Sequence, residues 1–214
     1  MQVLVIGATG GTGSLLLDQL VEQGHDVRAM ARREEQLDDL RARGAEAVLG
    51  DLEGEIDAAV AGVDAVCFCA GSGSKTGPDK TLLVDLLGAT RTIDACGEHG
   101  VRRYVMLSSI AAGDPLRGRE AIRHYLAAKH AADRILACSD LDWTIVRPGG
   151  LTDDEGTGRV AVGLPHLPER GQIPRADVAA VMARCLEDPR SHGAAFELIS
   201  GEIPVAEVVD HLDG

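Results

Sequence analysis

The stretch Gly7-Ala8-Thr9-Gly10-Gly11-Thr12-Gly13 follows the apolar run Val3-Leu4-Val5-Ile6 and precedes a helical pattern of leucines. This order predicts a strand, a tight glycine turn and a helix, which together begin a βαβ unit. Glycines let the backbone approach a pyrophosphate that side chains would block, and the helix N-terminus offers free N–H groups. The stretch therefore predicts a dinucleotide site held by Gly7, Thr9, Gly10, Gly11, Thr12 and Gly13.

Apolar strand patterns and helical patterns alternate along the chain. The predicted strands are Gln2–Ile6, Asp26–Ala31, Ala45–Leu49, Ala65–Cys69, Arg103–Leu107, Trp143–Val146 and Ala195–Ile199. The predicted helices are Thr12–Gln23, Glu34–Arg43, Ile56–Ala61, Thr81–His99, Glu120–Cys138, Arg175–Glu187 and Val205–His211. Such alternation predicts a single α/β domain over residues 1–214, a doubly wound parallel sheet of the Rossmann type with about seven strands and helices on both faces.

Composition narrows the class of protein. Hydrophobic residues make up 45% of the chain and aromatic residues 2%, so the core is aliphatic, as in a sheet covered on both faces. The net charge of −13, without a Lys/Arg cluster, argues against nucleic-acid binding. Five scattered cysteines without metal-ligand spacing predict reduced core thiols and no metal site. No signal peptide or membrane-spanning apolar run is recognisable, which predicts a cytoplasmic protein without a membrane partner.

The interval 152–172 interrupts the alternation. It is rich in Gly, Pro and Asp and follows the sixth strand, at the sheet edge where such folds bind ligands. It is either a substrate lid or a partly ordered surface loop.

The end of the second strand indicates which dinucleotide binds. An acidic residue there would bind the ribose 2′-hydroxyl of NAD, but this chain carries Arg32 and Arg33. A guanidinium pairs with a 2′-phosphate through two hydrogen bonds, which favours NADP(H). The alternative is that both arginines are solvated and paired with Glu34 and Glu35.

The next two strands end in further candidate cofactor residues. Asp51 and Leu52 follow the third strand, where Asp51 would accept from the adenine amino group or cap a turn. Ala70 and Gly71 follow the fourth strand, where a bulky side chain would clash with the cofactor.

A candidate hydride-transfer site lies later in the chain. Tyr125 and Lys129 are four residues apart on one predicted helix face. The nearby lysine is expected to lower the pKa of the phenol, so that the pair acts as a general acid at a carbonyl. Ser108 and Ser109 end the preceding strand, and a hydroxyl there would hold the carbonyl oxygen. A solvated surface Tyr/Lys pair is the alternative interpretation.

These motifs resemble the short-chain dehydrogenase/reductase superfamily. The glycine turn, Leu107-Ser108-Ser109, Tyr125…Lys129 and Thr144-Ile145-Val146-Arg147-Pro148-Gly149 occur there in the same order. The resemblance is greatest to its small atypical branch of epimerase-like, flavin-reductase-like or NmrA-like NAD(P)-binding proteins.

The resemblance implies roles for single residues. Arg32 would bind the 2′-phosphate, Tyr125 would be the acid, and Lys129 would bind the nicotinamide ribose. Pro148 and Gly149 would line the nicotinamide. Ile110 stands where extended members carry their active serine, so Ser109 would substitute for it.

We therefore predict an NADPH-dependent oxidoreductase that transfers hydride to a small carbonyl, quinone or flavin-like acceptor. The alternative is a non-catalytic NADP(H)-binding redox sensor that acts through a protein partner. The helices at 81–99 and 120–138 would form the dimer contact known in the superfamily, but its small members are often monomers. Both a monomer and a homodimer stay open.

Overall fold

A computed structural model describes residues 1–73 and 76–212 of the chain. Within these residues, nine strands form one sheet in the order β11-β8-β10-β6-β5-β4-β1-β2-β3, and β7 pairs with β9. The strands are β1 Gln2–Ile6, β2 Asp26–Ala31, β3 Glu46–Leu49, β4 Ala65–Phe68, β5 Arg103–Leu107, β6 Asp142–Pro148, β7 Gly150–Thr152, β8 Arg159–Gly163, β9 Gln172–Pro174, β10 Ala194–Ser200 and β11 Ile203–Pro204.

The helices connect these strands across both faces of the sheet. The α-helices are α1 Gly11–Glu22, α2 Leu37–Ala42, α3 Asp57–Val60, α4 Pro78–Lys80, α5 Ala89–His99, α6 Arg123–Ala137 and α7 Arg175–Glu187. A π-helical segment, Thr81–Gly88, joins α4 to α5. The described residues also form 3₁₀ segments at Glu34–Gln36, Pro115–Arg117, Glu120–Ile122, Pro189–Ser191 and Val205–His211. Over the described residues, no helix has the length and apolar character needed to cross a membrane.

The side-chain alternation of β1 builds two cores. Val3 and Val5 point to one face, where α1 and α7 pack. Leu4 and Ile6 point to the other face, which α5 and α6 cover. Because successive side chains of a strand face opposite sides, an all-apolar strand needs a layer on each face. The predicted Rossmann architecture, with helices on both faces, is confirmed.

The predicted number and direction of the strands need correction. The seven predicted strands are present, with ends displaced by at most two residues, but the sheet that the described residues form has nine strands. The additional strands β8 and β11 lie at one edge and run antiparallel there. The interval 152–172 is therefore not a continuous loop, since Arg159–Gly163 pairs with β10. The alternation in β8 is short, with Val160 and Val162 separated by a single alanine, and this signal is weak. A lid role for the rest of the interval stays a prediction.

The predicted helix Thr81–His99 also differs from the structure. Its first part, Thr81–Gly88, is π-helical, and regular α-helix begins at Ala89. Leucine spacing does not distinguish these two helix types over so short a segment. π-helical turns occur preferentially at functional sites, where they redirect a side chain.

Two glycines of the turn bring α1 against the end of β1. Gly7 has a φ of +85°, and its carbonyl oxygen accepts a hydrogen bond from the Gly10 N–H at 2.9 Å. A Cβ placed on Gly13 would lie 2.2 Å from the Gly7 carbonyl oxygen. The turn therefore requires glycine at both positions, for conformation at Gly7 and for space at Gly13.

We expect Gly13→Ala to lower the free energy of unfolding by about 1–3 kcal/mol, because a backbone atom must move to admit the methyl group. Gly97→Ala is the matched control, since Gly97 lies in α5 with open space around it. That change should raise stability by about 0.5–1 kcal/mol through helix propensity. Urea denaturation of both variants measures the difference, and equal effects would contradict the proposed contact.

Candidate functional site

The candidate site lies beyond the carboxyl ends of β1, β2, β4 and β5. The strand order places β1 beside β4, with β2 and β3 on one side and β5 and β6 on the other. The chain winds outward in both directions from this pair, and such a switch point leaves a crevice between the connections. Two adjoining cavities occupy this edge and share Gly10 and the segment from Cys69 to Ser72.

The first cavity brings the predicted dinucleotide residues together. It is lined by Gly7, Thr9, Gly10, Arg32, Asp51, Leu52, Ala70 and Gly71, among others. A Cβ on Gly7 would lie 2.7 Å from the Ala70 backbone nitrogen, so the two connections touch at this point. Glycine at position 7 lets the connections after β1 and β4 pack backbone against backbone at the wall of this cavity.

The other residues of the glycine turn lie in two different surroundings. Gly11 and Thr12 line the second cavity. Gly13 is buried against Gly7 and the Cys69 side chain, so it supports the turn through packing.

The two candidate arginines are placed differently. Arg32 lines the first cavity, where an adenosine ribose would lie. Arg33 forms an exposed ion pair with Glu35 at 3.4 Å. Arg33 is therefore a solvated arginine paired with a glutamate, and Arg32 remains the candidate ligand for a 2′-phosphate.

The turn after β3 is fixed by contacts that sequence reasoning missed. Asp51 accepts a hydrogen bond from the Glu53 backbone N–H at 3.0 Å, so it also caps its own turn. Lys80 donates to both Glu53 carboxylate oxygens at 2.8 Å. Arg91 donates to the carbonyl oxygens of Leu52 and Gly54. These contacts hold Asp51 and Leu52 at the cavity wall.

The second cavity, of about 670 Å³, lies over the predicted catalytic helix. Its size is in the range of small-ligand sites. Its polar lining includes Asp85, Ser108, His124, Tyr125, Lys129 and Arg175. In the described part of the chain, Leu151 lines this cavity while Pro148 and Gly149 do not. A Cβ on Gly149 would lie 2.3 Å from the Gly171 carbonyl oxygen, so this glycine serves close backbone packing. The nicotinamide role of both residues stays a prediction.

Lys129 is held beneath the cavity. Its side chain is 1% exposed, and its Nζ donates to the Leu107 carbonyl oxygen at 2.8 Å. Burial lowers the pKa of Lys129, and the carboxylates of Asp85 and Asp133 act in the opposite direction. Nζ also lies 5.8 Å from the centre of the Phe68 ring, which adds a cation–π contact. These contacts fix the lysine in one position.

The pKa of Tyr125 departs from the expectation that Lys129 would lower it. Burial, followed by the negative charge of Asp85, raises the pKa of the phenol to about 12. A polar interaction with the Ser109 hydroxyl opposes this rise. The expectation was wrong because desolvation and the carboxylates of Asp85 and Asp133 raise this pKa. Tyr125 is therefore fully protonated at neutral pH, the form that an acid requires.

The two candidate serines have separate surroundings. Ser108 lines the cavity, and its buried Oγ has no hydrogen-bond partner among the described residues. Ser109 donates weakly to the Ile110 carbonyl oxygen at 3.4 Å and interacts with Tyr125. Ser108 thus lies on the cavity wall, where its hydroxyl also interacts with the Asp133 carboxyl and lowers the pKa of that group.

Asp85 is a site residue that sequence reasoning missed. It lies on the π-helical segment, is 1% exposed, and its Oδ2 accepts from the Ser72 backbone N–H at 3.0 Å. Its Oδ1 is buried without a hydrogen-bond partner within residues 1–73 and 76–212. The signal was a single carboxylate within the apolar run Thr81–Gly88. A buried charge in such a run needs a partner or a function.

Asp133 forms a second buried acidic group near the cavity. Its Oδ2 lies 2.9 Å from the Arg147 Nε, and both side chains are largely buried. Burial raises the pKa of Asp133, while the Arg147 guanidinium lowers it. The arginine therefore compensates one of the two carboxylates that surround Lys129.

Known proteins share this fold and chain length. A family model described as NAD(P)H-binding matches residues 7–189. The protein named uncharacterized sugar epimerase YhfK of Bacillus subtilis is 45% identical over 216 residues, which cover 99% of this chain and 100% of that protein.

Solved structures show the same similarity. A Bacillus halodurans protein, provisionally named an NAD-dependent epimerase/dehydratase, has a TM-score of 0.96 and 46% identity over 99% of this chain and 100% of its own. ChuY, an anaerobillin reductase of Escherichia coli O157:H7, has a TM-score of 0.83 and 25% identity over 95% of this chain and 98% of its own. The chain therefore belongs to the NAD(P)H-binding family of Rossmann-fold, oxidoreductase-like proteins, with atypical short-chain dehydrogenase/reductase relatives.

Proposed function

We propose that this protein is an NADPH-dependent reductase that transfers hydride to a small carbonyl, quinone or flavin-like acceptor. The observation that carries the proposal is that Tyr125 and Ser108 both line a cavity that adjoins the dinucleotide groove. An acceptor in that cavity would contact both the cofactor and an acid. The reductase activity named for ChuY, which shares the fold, supports the same class of reaction.

The preference for NADPH rests on Arg32. Its exposed guanidinium lines the cavity at the end of β2, where family members contact the adenosine ribose. A planar guanidinium binds a phosphate through two parallel hydrogen bonds.

The chain's own residues would bind the acceptor and supply a proton. When bound, the nicotinamide cofactor supplies the hydride. Ser108 Oγ would donate a hydrogen bond to the acceptor oxygen and orient it. As the C–O double bond is reduced, Tyr125 would transfer its phenolic proton to that oxygen, which completes the alcohol. Lys129 would hold the cofactor ribose, since its Nζ is fixed at the base of the cavity.

Oxidation of NADPH, followed by absorbance against a panel of flavins, quinones, aldehydes and ketones, tests the proposal. NADH runs in parallel. Turnover with one acceptor class and a preference for NADPH is the expected result. An epimerase returns its hydride to the product and would consume no NADPH. Tight NADPH binding without turnover on any acceptor would contradict the reductase and favour the non-catalytic redox sensor. Absence of binding to either cofactor would overturn both.

Arg32→Ala should weaken NADPH binding by about 10- to 100-fold, because a charged hydrogen bond contributes about 1.5–3 kcal/mol. NADH binding should change little, since NADH lacks the 2′-phosphate. Arg33→Ala is the matched control, because Arg33 pairs with Glu35. Dissociation constants from cofactor fluorescence measure the effect. Equal losses for NADPH and NADH would reject the role of Arg32.

Tyr125→Phe should lower kcat by about 10²- to 10⁴-fold on a carbonyl acceptor, since it removes the general acid. NADPH affinity should stay unchanged, because the phenylalanine ring preserves the cavity wall. Steady-state kinetics and cofactor titration separate the two effects. Unchanged turnover would exclude Tyr125 as the acid.

Asp85→Asn should shift the alkaline limb of kcat/KM to lower pH. The Asp85 charge disfavours the phenolate and raises the pKa of Tyr125, so its removal lowers that pKa from about 12. The unaltered protein should hold its plateau through about pH 10, the ordinary pKa of tyrosine. An alkaline limb that stays in place in Asp85→Asn would show that Asp85 does not act on the phenol.

A further inference from the structure

Arg175 lies across the first turn of α1. It is the first residue of α7, and its side chain passes over Gly11. A Cβ on Gly11 would lie 2.7 Å from the Arg175 Cδ and 2.8 Å from its Nε. The glycine at position 11 therefore makes the space that the arginine occupies.

The guanidinium of Arg175 is incompletely paired. Its Nη1 lies 2.6 Å from the Asp153 Oδ1, and this is its one hydrogen-bonded side-chain partner among the described residues. The Asp153 side chain is 90% exposed, whereas that of Arg175 is 26% exposed. An ion pair with a solvated carboxylate contributes little, about 0–1 kcal/mol. Another oxyanion can therefore displace Asp153 at low cost.

The position of Arg175 determines what it can bind. It lines the second cavity together with Gly10, Gly11 and Thr12, at the start of α1. The backbone N–H groups of Gly11 and Thr12, in the first turn of α1, have no partner within the helix and favour negative charge. A guanidinium beside them adds up to two parallel hydrogen bonds to a phosphate or a carboxylate.

We propose that Arg175 is a side-chain ligand for an oxyanion held over the glycine turn, and that Asp153 competes with this oxyanion for the guanidinium. The oxyanion is the pyrophosphate of the dinucleotide or an acidic group of the acceptor. The inference rests on the proposed function, since both sources enter through that site. The inference predicts that Arg175 favours binding of the oxyanion and that its ion-pair partner Asp153 opposes it.

Binding of NADPH to the full chain tests the proposal through Arg175→Met and Asp153→Asn. Loss of the guanidinium should weaken binding by about 10- to 100-fold. Loss of the competing carboxylate should strengthen binding by up to about fivefold. Arg175→Lys should bind with intermediate affinity, because it keeps the charge and loses the planar pair of donors.

Two further variants control for charge. Asp154→Asn removes an adjacent exposed charge, and Arg102→Met removes an exposed arginine whose partner is Asp142 at 3.4 Å. Neither should alter NADPH affinity by more than about twofold, as expected for surface charges. Thermal unfolding of each variant shows that it is folded. Should Arg175→Met not fold, Arg175→Lys and Asp153→Asn carry the same test.

Benzoate binding to the NADPH-loaded protein distinguishes the two sources. Loss of NADPH affinity in Arg175→Met identifies the pyrophosphate as the ligand. Unchanged NADPH affinity with loss of benzoate binding identifies an acidic acceptor group. Unchanged binding of both, or equal losses in Arg175→Met and Asp153→Asn, overturns the proposal. If the unaltered chain binds no cofactor, the proposed function itself fails, which is a separate result.

Discussion

The contact between the Gly7 carbonyl and the first turn of α1 is the constraint on which the site depends. The Gly10 N–H binds this oxygen at 2.9 Å, and Gly13 faces it where a Cβ would lie at 2.2 Å. On its other side Gly7 touches Ala70, which begins the connection after β4. The α1 N-terminus is thereby held at the switch point of the sheet, and the groove opens between two backbones that approach without side chains.

The acceptor cavity depends on a second constraint, the compensation of buried charge. Lys129 is 1% exposed and has two buried carboxylates, Asp85 and Asp133, as its charged surroundings. Ions removed from water must be paired or hydrogen-bonded to remain charged. Arg147 compensates Asp133, and the Ser72 N–H binds Asp85. Burial, and after it the charges of Asp85 and Asp133, raises the pKa of Tyr125, so charge compensation and the proposed acid chemistry share one set of residues.

The late part of the chain supports the turn that follows Ser109. The buried Glu197 on β10 accepts from the backbone N–H groups of Ala111 and Leu167, at 3.0 and 2.9 Å. Ala111 has a φ of +65°, which an alanine adopts only when its surroundings require it. One carboxylate thus joins the turn after Ser109 to the interval 152–172. The turn that follows β5 is therefore tied to the segment that follows β8.

Local sequence determined the strand–turn–helix at residues 2–22, the alternation of elements and the placement of Arg32 at the end of β2. Each of these follows from backbone conformation or from side-chain periodicity within a few neighbouring residues. Tertiary structure decided that Asp85 faces the cavity from a π-helical turn, that Arg159–Gly163 joins the sheet, and that Arg175 lies over Gly11. These features arise between segments far apart in the chain, where burial and close packing outweigh local preference.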